Sequence, residues 1–342
     1  MRKDKLEQLI NESFEPTEIE KREQKIRDLE HKLKVAQSEA YGYRQQLNWL
    51  DEMARPVVTK IKATKEKGKT QASALLQWSD WHVEEVVESD TVRGLNEYNP
   101  DIARARATRL VDTSGRLIEL IGQDLQIDNI VIGLLGDFIT NYLHDESPEI
   151  TAMGPTHATM FAQDLIASGI AHLVDRFPDK QFTIICHSGN HGRTTKRIHH
   201  AKENSHSLEY MMYCNLAALF ESTDNVQFDI GAGYFTNLEI LGVRTRWHHG
   251  HNIRYAGGIG GITIPVNKAI AQWDKAEQAD FDMFGHFHQF MDGGKWFCNG
   301  SLIGYNAFAQ SIKAEPEPPQ QGFHIIDARR GRTYRMPVYV NE

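Results

Sequence analysis

The chain has 342 residues, 40% of them hydrophobic, and a formal net charge of −8. Its length exceeds one ordinary compact domain and supplies a substantial core. The acidic balance excludes a surface that coats nucleic acid everywhere, though not a local groove beside carboxylates that bound cations would neutralise.

In chain order, Met1-Arg2-Lys3-Asp4-Lys5 is followed by no apolar segment, and no apolar run approaches the ~18 residues of a membrane span. Cys186, Cys214 and Cys298 show no CxxC spacing and read as buried apolar residues of a reducing compartment. We therefore expect a cytoplasmic protein with no membrane partner. From Pro16 to Met53 the chain is rich in Glu, Lys, Arg and Gln, with no glycine until Gly42, which favours helix. Ile19, Ile26, Leu33, Ala40 and Leu47 fall on one heptad position, and Arg22, Leu29, Ala36, Tyr43 and Leu50 on another. Residues 1–55 are thus expected to form a helical coiled-coil segment that makes a homo-oligomer; the alternative is a helix folded back on its own domain. Lys60, Lys62, Lys65, Lys67 and Lys69 mark residues 56–70 as a basic linker, and 71–342 as the catalytic domain.

The catalytic part alternates strand-like and helix-like segments, predicting a layered α/β fold. Strands are expected at 74–78, 130–135, 182–186 and 281–284, a strand and turn over 238–247, and helices at 101–123, 156–177 and 206–220. Later β-like pieces at 296–298, 323–326 and 333–340 are expected to complete a second sheet, and the Glu/Pro/Gln-rich stretch 314–321 to be an exposed loop.

Five short stretches at the ends of apolar runs carry the chemistry: Ser79-Asp80-Trp81-His82, Gly136-Asp137, Gly189-Asn190-His191, His248-His249-Gly250-His251 and Gly285-His286-Phe287-His288. Loops at the carboxyl ends of neighbouring strands converge, so residues distant in sequence can meet. Carboxylates, imidazoles and an amide oxygen suit Mn²⁺, Fe or Zn²⁺, with Mg²⁺ also possible in principle, whereas a thiolate set would suit softer ions. Two ions need a bridging carboxylate, for which Asp137 is the choice, and they would activate a water for in-line attack on phosphorus. His191, next to Asn190, is the natural proton donor to the leaving oxygen.

These motifs, D-x-H, G-D, G-N-H, a histidine after a strand and G-H-x-H, resemble the calcineurin-like metallophosphoesterase superfamily over about residues 72–305. The resemblance implies two mixed β-sheets packed as a sandwich flanked by helices. It implies two divalent ions, Mn²⁺ first among the choices, one held by Asp80, His82, Asp137 and His288 and the other by Asp137, Asn190, His249 and His286, with His191 as the acid. Asn299-Gly300-Ser301-Leu302 looks like the turn that follows G-H-x-H in bacterial members. The third motif continues Gly192-Arg193 where an acidic residue often follows, which leaves the support of His191 open. The second lacks the Asp-Arg-Gly continuation of serine/threonine phosphatases.

The reading is a phosphodiesterase or nuclease acting on DNA, RNA or a nucleotide-like diester, resembling DNA-repair exonuclease-type and phage-borne members. A phosphomonoesterase for a phosphoprotein or metabolite and an inactive oligomeric scaffold are the alternatives. Arg193 is the candidate phosphate clamp. His248 and His251 are expected behind the ligands or facing substrate, and His144 in local hydrogen bonding. Arg104, Arg106, Arg109 and Arg116 read as an outer charged face, and Trp78, Trp81 and Trp247 as core.

Overall fold

Residues Thr70–Trp78 are almost continuously apolar, as a strand buried on both faces must be, and form the central strand β1. The structure is a computed structural model that describes residues 18–53, 68–254 and 261–341. It divides into two units at Glu66/Lys67. In the first, helix α1 runs Glu18–Met53. Its Ile19, Ile26, Leu29, Leu33, Tyr43 and Leu47 are exposed, between 54% and 69%. Most of the basic stretch expected at 56–70 lies outside the described residues; its last residue, Thr70, already belongs to β1.

Among the described residues of the second unit, helices α2 (Pro100–Ile121), α3 (Pro155–Arg176), α4 (Leu208–Leu219), α5 (Thr263–Trp273) and the short α6 (Ala307–Ser311) accompany eleven strands. Local chemistry sets their ends. The Asn99 side chain accepts from the Ile102 N–H ahead of Pro100, and Ser207 accepts from Tyr210 N–H.

The first sheet has the order β11 (Gly331–Tyr339), β10 (Gln320–Asp327), β1, β2 (Leu125–Leu134), β3 (Gln181–Cys186), β4 (Val226–Ile230); β1 to β4 are parallel and β10 and β11 antiparallel. The second is β5 (Thr236–Ile240), β6 (Val243–Trp247), β7 (Phe281–Phe284), β9 (Trp296–Cys298), β8 (Met291–Asp292), with β6, β7 and β9 parallel. The pleat sorts the core. Ala74, Leu76 and Trp78 face α2 and α3, whereas Leu75 and Val131 face Trp247, Met283 and Phe297 of the other sheet. Val266 and Ile270 of α5 cover Phe284 and Trp296 from the far side. The result is an α/β sandwich of two mixed sheets flanked by helices, as expected.

Several expectations are corrected. Strands 323–326 and 333–340 do not complete the second sheet; they extend the first, because β10 pairs with β1. The 314–321 loop is not wholly exposed: Gln320 and Gln321 open β10 and are buried. Cys214 is exposed, unlike Cys186 and Cys298. Arg106 is no outer-face residue. It is 8% exposed, and its guanidinium donates to the Leu302 and Ile303 carbonyls and to Asn96 Oδ1. Trp78, Trp81 and Trp247 are fully buried.

Candidate metal centre

The carboxyl ends of β1, β2 and β3, and of β6 and β7, deliver the five motifs. Asp80 and His82 leave β1, Asp137 leaves β2, Asn190 and His191 follow β3, His249 follows β6, and His286 and His288 follow β7. The strand-end loops are tied to one another: Asp80 N–H donates to Gly136 O at 2.9 Å and Gly285 N–H to His249 O at 2.9 Å. Close backbone approach demands glycine at two of them. A Cβ on Gly189 would lie 2.1 Å from Asp137 Oδ1, and one on Gly285 2.3 Å from Asp80 Oδ2.

Potential ligand atoms of Asp80, His82 and His288 gather within 4.8 Å of one another, and those of Asp137, His249 and His286 form a second such group. His288 Nε2 lies 3.3 Å from Asp80 Oδ1, and His249 Nε2 lies 3.0 Å from Asp137 Oδ2 and 3.2 Å from Asn190 Oδ1. Asp80, His82, Asp137, His286 and His288 all take positive φ, from 47° to 70°. Such backbone costs of order 1 kcal/mol or more per residue and persists only where surroundings over-determine it.

Hydrogen bonding on the far side of two of the rings, His82 and His249, sets which nitrogen faces the cluster. The Thr140 hydroxyl donates its one proton to Glu85 Oε2 at 3.0 Å, so at 2.9 Å from His82 Nδ1 it acts as acceptor. His82 therefore carries its proton on Nδ1, and Nε2 is a bare lone pair, buried and without a hydrogen-bond partner. His249 repeats the pattern, with Nδ1–H donating to Leu135 O at 2.6 Å. Its Nε2 then faces two oxygens that cannot donate. Burial alone would lower this imidazole, but the Asp137 carboxylate reverses the effect and pushes it up to about 10. Burial and then His249 hold His286 well below the ordinary range. At the raised value of His249 a proton on its Nε2 answers the converging oxygens of Asp137 and Asn190; a divalent cation would displace it, and the imidazole–carboxylate–amide donor set fits such ions.

No protein-family profile matches this chain. No curated protein sequence matches it either. Among solved structures, an archaeal phosphodiesterase is similar, 13% identical over 77% of this chain and 99% of its own, with a TM-score of 0.31. Vps29 from Entamoeba histolytica, complexed with zinc, is 11% identical over 78% and 99% of the two chains at a TM-score of 0.30. A hypothetical protein of Pyrococcus horikoshii is 11% identical over 79% and 89% at 0.37. The functional reading rests on the site's own geometry.

Beside the two groups, His191 N–H donates to Asp137 Oδ1 at 2.7 Å, and His191 Nδ1 lies 2.9 Å from the Thr140 carbonyl. A backbone carbonyl thus orients His191 where the motif lacks an acidic residue. The ring is 5.0 Å from that of His82 and 5.9 Å from His144, which is exposed. Arg193 is half-buried and spends one N–H on the Asn190 carbonyl, bracing the loop. His248 does not face substrate: it is fully buried, stacked on Phe284, with Nε2 3.5 Å from Asp282. His251 Nε2 lies 3.0 Å from Glu203 Oε1.

Three supporting side chains escape motif reading. Glu209 Oε1 and Oε2 accept from Phe138 N–H and Gly189 N–H, each at 2.7 Å, clamping the second motif to the third; burial and the Asp137 charge push its carboxyl up to about 8. Glu84 Oε1 accepts from Thr140 and Asn141 N–H, and burial pushes that carboxyl up to about 7. Gln321 holds Ser79 from both ends of its amide, accepting from Ser79 N–H at 3.0 Å and donating to Ser79 O at 3.1 Å.

Proposed function

We propose that this chain is a divalent-metal-dependent phosphodiester hydrolase acting on nucleic acid or a nucleotide-like diester, with Mn²⁺ as the preferred ion. The observation that carries the reading is the pair of acceptor clusters, Asp80/His82/His288 and Asp137/His249/His286, with Asn190 Oδ1 at the second and His191 beside both. Asp80, His82, Asp137 and His288 would hold one ion, and Asp137, Asn190, His249 and His286 the other. The bound pair would supply Lewis-acid neutralisation of the phosphoryl oxygens and activation of water.

The chain's own residues do the rest. Thr140 O and the Asp137–His191 backbone bond hold the His191 ring so that Nε2 is free to carry a proton to the leaving oxygen. The unspent edge of the Arg193 guanidinium supplies a donor for a phosphoryl oxygen. Glu209 and Glu84 fix the loops bearing Asp137 and Thr140, so the cradle needs little rearrangement when substrate enters.

The test is hydrolysis of bis-p-nitrophenyl phosphate against p-nitrophenyl phosphate in Mn²⁺, followed by single- and double-stranded DNA and RNA. Diester turnover abolished by Asp137→Asn is the expected result; turnover of the monoester alone would replace the diesterase by a phosphomonoesterase.

We also propose that α1 associates with a second copy in a coiled coil. What supports this is the stripe of exposed Ile26, Leu29, Leu33, Tyr43 and Leu47. Among the described residues no helix is long and apolar enough to cross a membrane. The three free thiols fit a cytoplasmic setting.

A further inference from the structure

A cavity of about 770 Å³ opens directly beside the metal centre, sharing His286 and His288 with it. That volume is in the range of small-molecule sites and far exceeds what a phosphate needs. Phe287 lies between the two histidines in sequence and is held edge-on to Phe284, with ring centroids 6.2 Å apart, and to His286 at 5.0 Å. Tyr305 forms another wall and is 9% exposed. Phe308 and Ile312 also line it, at 64% and 58% exposure.

The short helix bearing Phe308 is pinned. Asn306 Oδ1 caps it by accepting from Ala309 N–H at 2.9 Å, while Asn306 Nδ2 donates to Glu85 Oε1 at 2.7 Å. Since Glu85 also accepts from Thr140, the pocket wall and the His82 support share one carboxylate. Rigid aromatic and aliphatic walls reward a flat apolar ring, which stacks at low entropic cost.

Charge restricts what else the occupant carries. Glu315 and Glu317 line the cavity, and an adjoining groove, which meets it at Asn306 and Phe308, is lined by Glu85, Glu88, Glu146 and Glu149. Arg254 is the cavity's arginine. A nucleic-acid strand continuing past the first base would run its phosphates along carboxylates, against the positive track that polymer binding requires.

From this we infer that the pocket seats the nucleobase of one ester group, so that the centre acts on nucleotide-type diesters of a single nucleoside rather than on the interior of a nucleic-acid strand. The inference rests on the phosphodiesterase reading for the position of the phosphate, but its test reads binding. The Mn²⁺-loaded protein is titrated calorimetrically with thymidine 5′-monophosphate, methyl phosphate and an oligothymidylate. Thymidine monophosphate should bind at least ~10-fold more tightly than methyl phosphate, as one stacked base warrants. Phe308→Ala combined with Ile312→Ser, both at exposed positions, should remove most of that preference while leaving methyl phosphate affinity and the melting temperature unchanged.

Equal binding of the two monophosphates, or a preference that survives the double substitution, overturns the pocket assignment and leaves the phosphodiesterase reading standing. An oligothymidylate that binds ~100-fold more tightly than the mononucleotide, with a steep salt dependence, overturns it in favour of a polymer groove. A base-dependent preference in a protein that hydrolyses no diester upholds the pocket and overturns the activity.

Discussion

His82 Nδ1 and Thr140 Oγ1 lie 2.9 Å apart, and the direction of that bond is set from outside, by Glu85 taking the hydroxyl proton. A methyl in place of the hydroxyl would free His82 to carry its proton on either nitrogen and to rotate. Thr140→Val should therefore weaken Mn²⁺ binding by roughly 10- to 100-fold with little change in fold, as loss of a ligand's outer partner does. Titration calorimetry with Mn²⁺ checks this; unchanged affinity would show that Thr140 does not orient the ring.

Gly189 and Asp137 offer a steric test. A methyl on Gly189 would meet Asp137 Oδ1 at 2.1 Å and Asp137 N at 2.4 Å, and neither can retreat, because Oδ1 already receives His191 N–H. Gly189→Ala should abolish high-affinity metal binding and hydrolysis. Gly233→Ala is the control: nothing lies within 4 Å of its Cβ, and both properties should stay at wild-type level. The comparison needs only metal titrations and a diester assay on the two variants.

His324 supplies a pH dependence separate from the metal centre. Its Nε2–H donates to Gln77 Oε1 at 2.9 Å in the buried first sheet, and burial, then the charges of Arg332 and Arg335, push the imidazole down to about 3. Above pH ~6.5 both folded and unfolded chains keep this ring neutral, so it has no effect. As pH falls from ~6.5 towards 3, the unfolded chain takes up a proton the folded one refuses, and stability drops by about 1.4 kcal/mol per pH unit. His324→Gln keeps a donor for Gln77 and cannot titrate. In urea unfolding between pH 6 and 4 the wild type should lose stability more steeply than the variant by about that slope; parallel curves would mean His324 is protonated in the folded state.

What could be read beforehand follows from the physics of each feature. A ligand set needs particular atoms at strand ends, so Asp80, Asp137, Asn190 and the histidines stood out by residue type. Glu209, Glu84 and Gln321 did not, because their partners are backbone groups that leave no mark in sequence. The partner strand of β10 was equally hidden, since antiparallel pairing with β1 joins segments some 250 residues apart. Two omissions had a visible signal: Val226-Gln-Phe-Asp-Ile alternates with strand period, and Val266, Ile270 and Trp273 fall at helical spacing. Arg106 shows the opposite error. A charge pattern on α2 suggested solvent, while the side chain caps the carbonyls of the turn behind Asp80.

The helix α1 makes its own prediction. Its 36 residues place Ile19, Ile26, Leu33 and Leu47 at one heptad position and Leu29 and Tyr43 at another, all more than half exposed. One helix cannot bury such a stripe, and a partner helix in a left-handed coil would cover it, at roughly 1.5–3 kcal/mol for each large side chain fully buried. Where the full chain sediments as an oligomer, removing residues 1–55, or placing a charge in the seam with Leu33→Asp, should give a monomer in sedimentation velocity while the second unit keeps its metal affinity. His31→Asp adds the same carboxylate on the opposite side of the helix and should leave the assembly intact. If truncation and Leu33→Asp both leave the sedimentation coefficient of a multimer, the copies meet elsewhere; if the full chain is already monomeric, the stripe does not pair with a second copy.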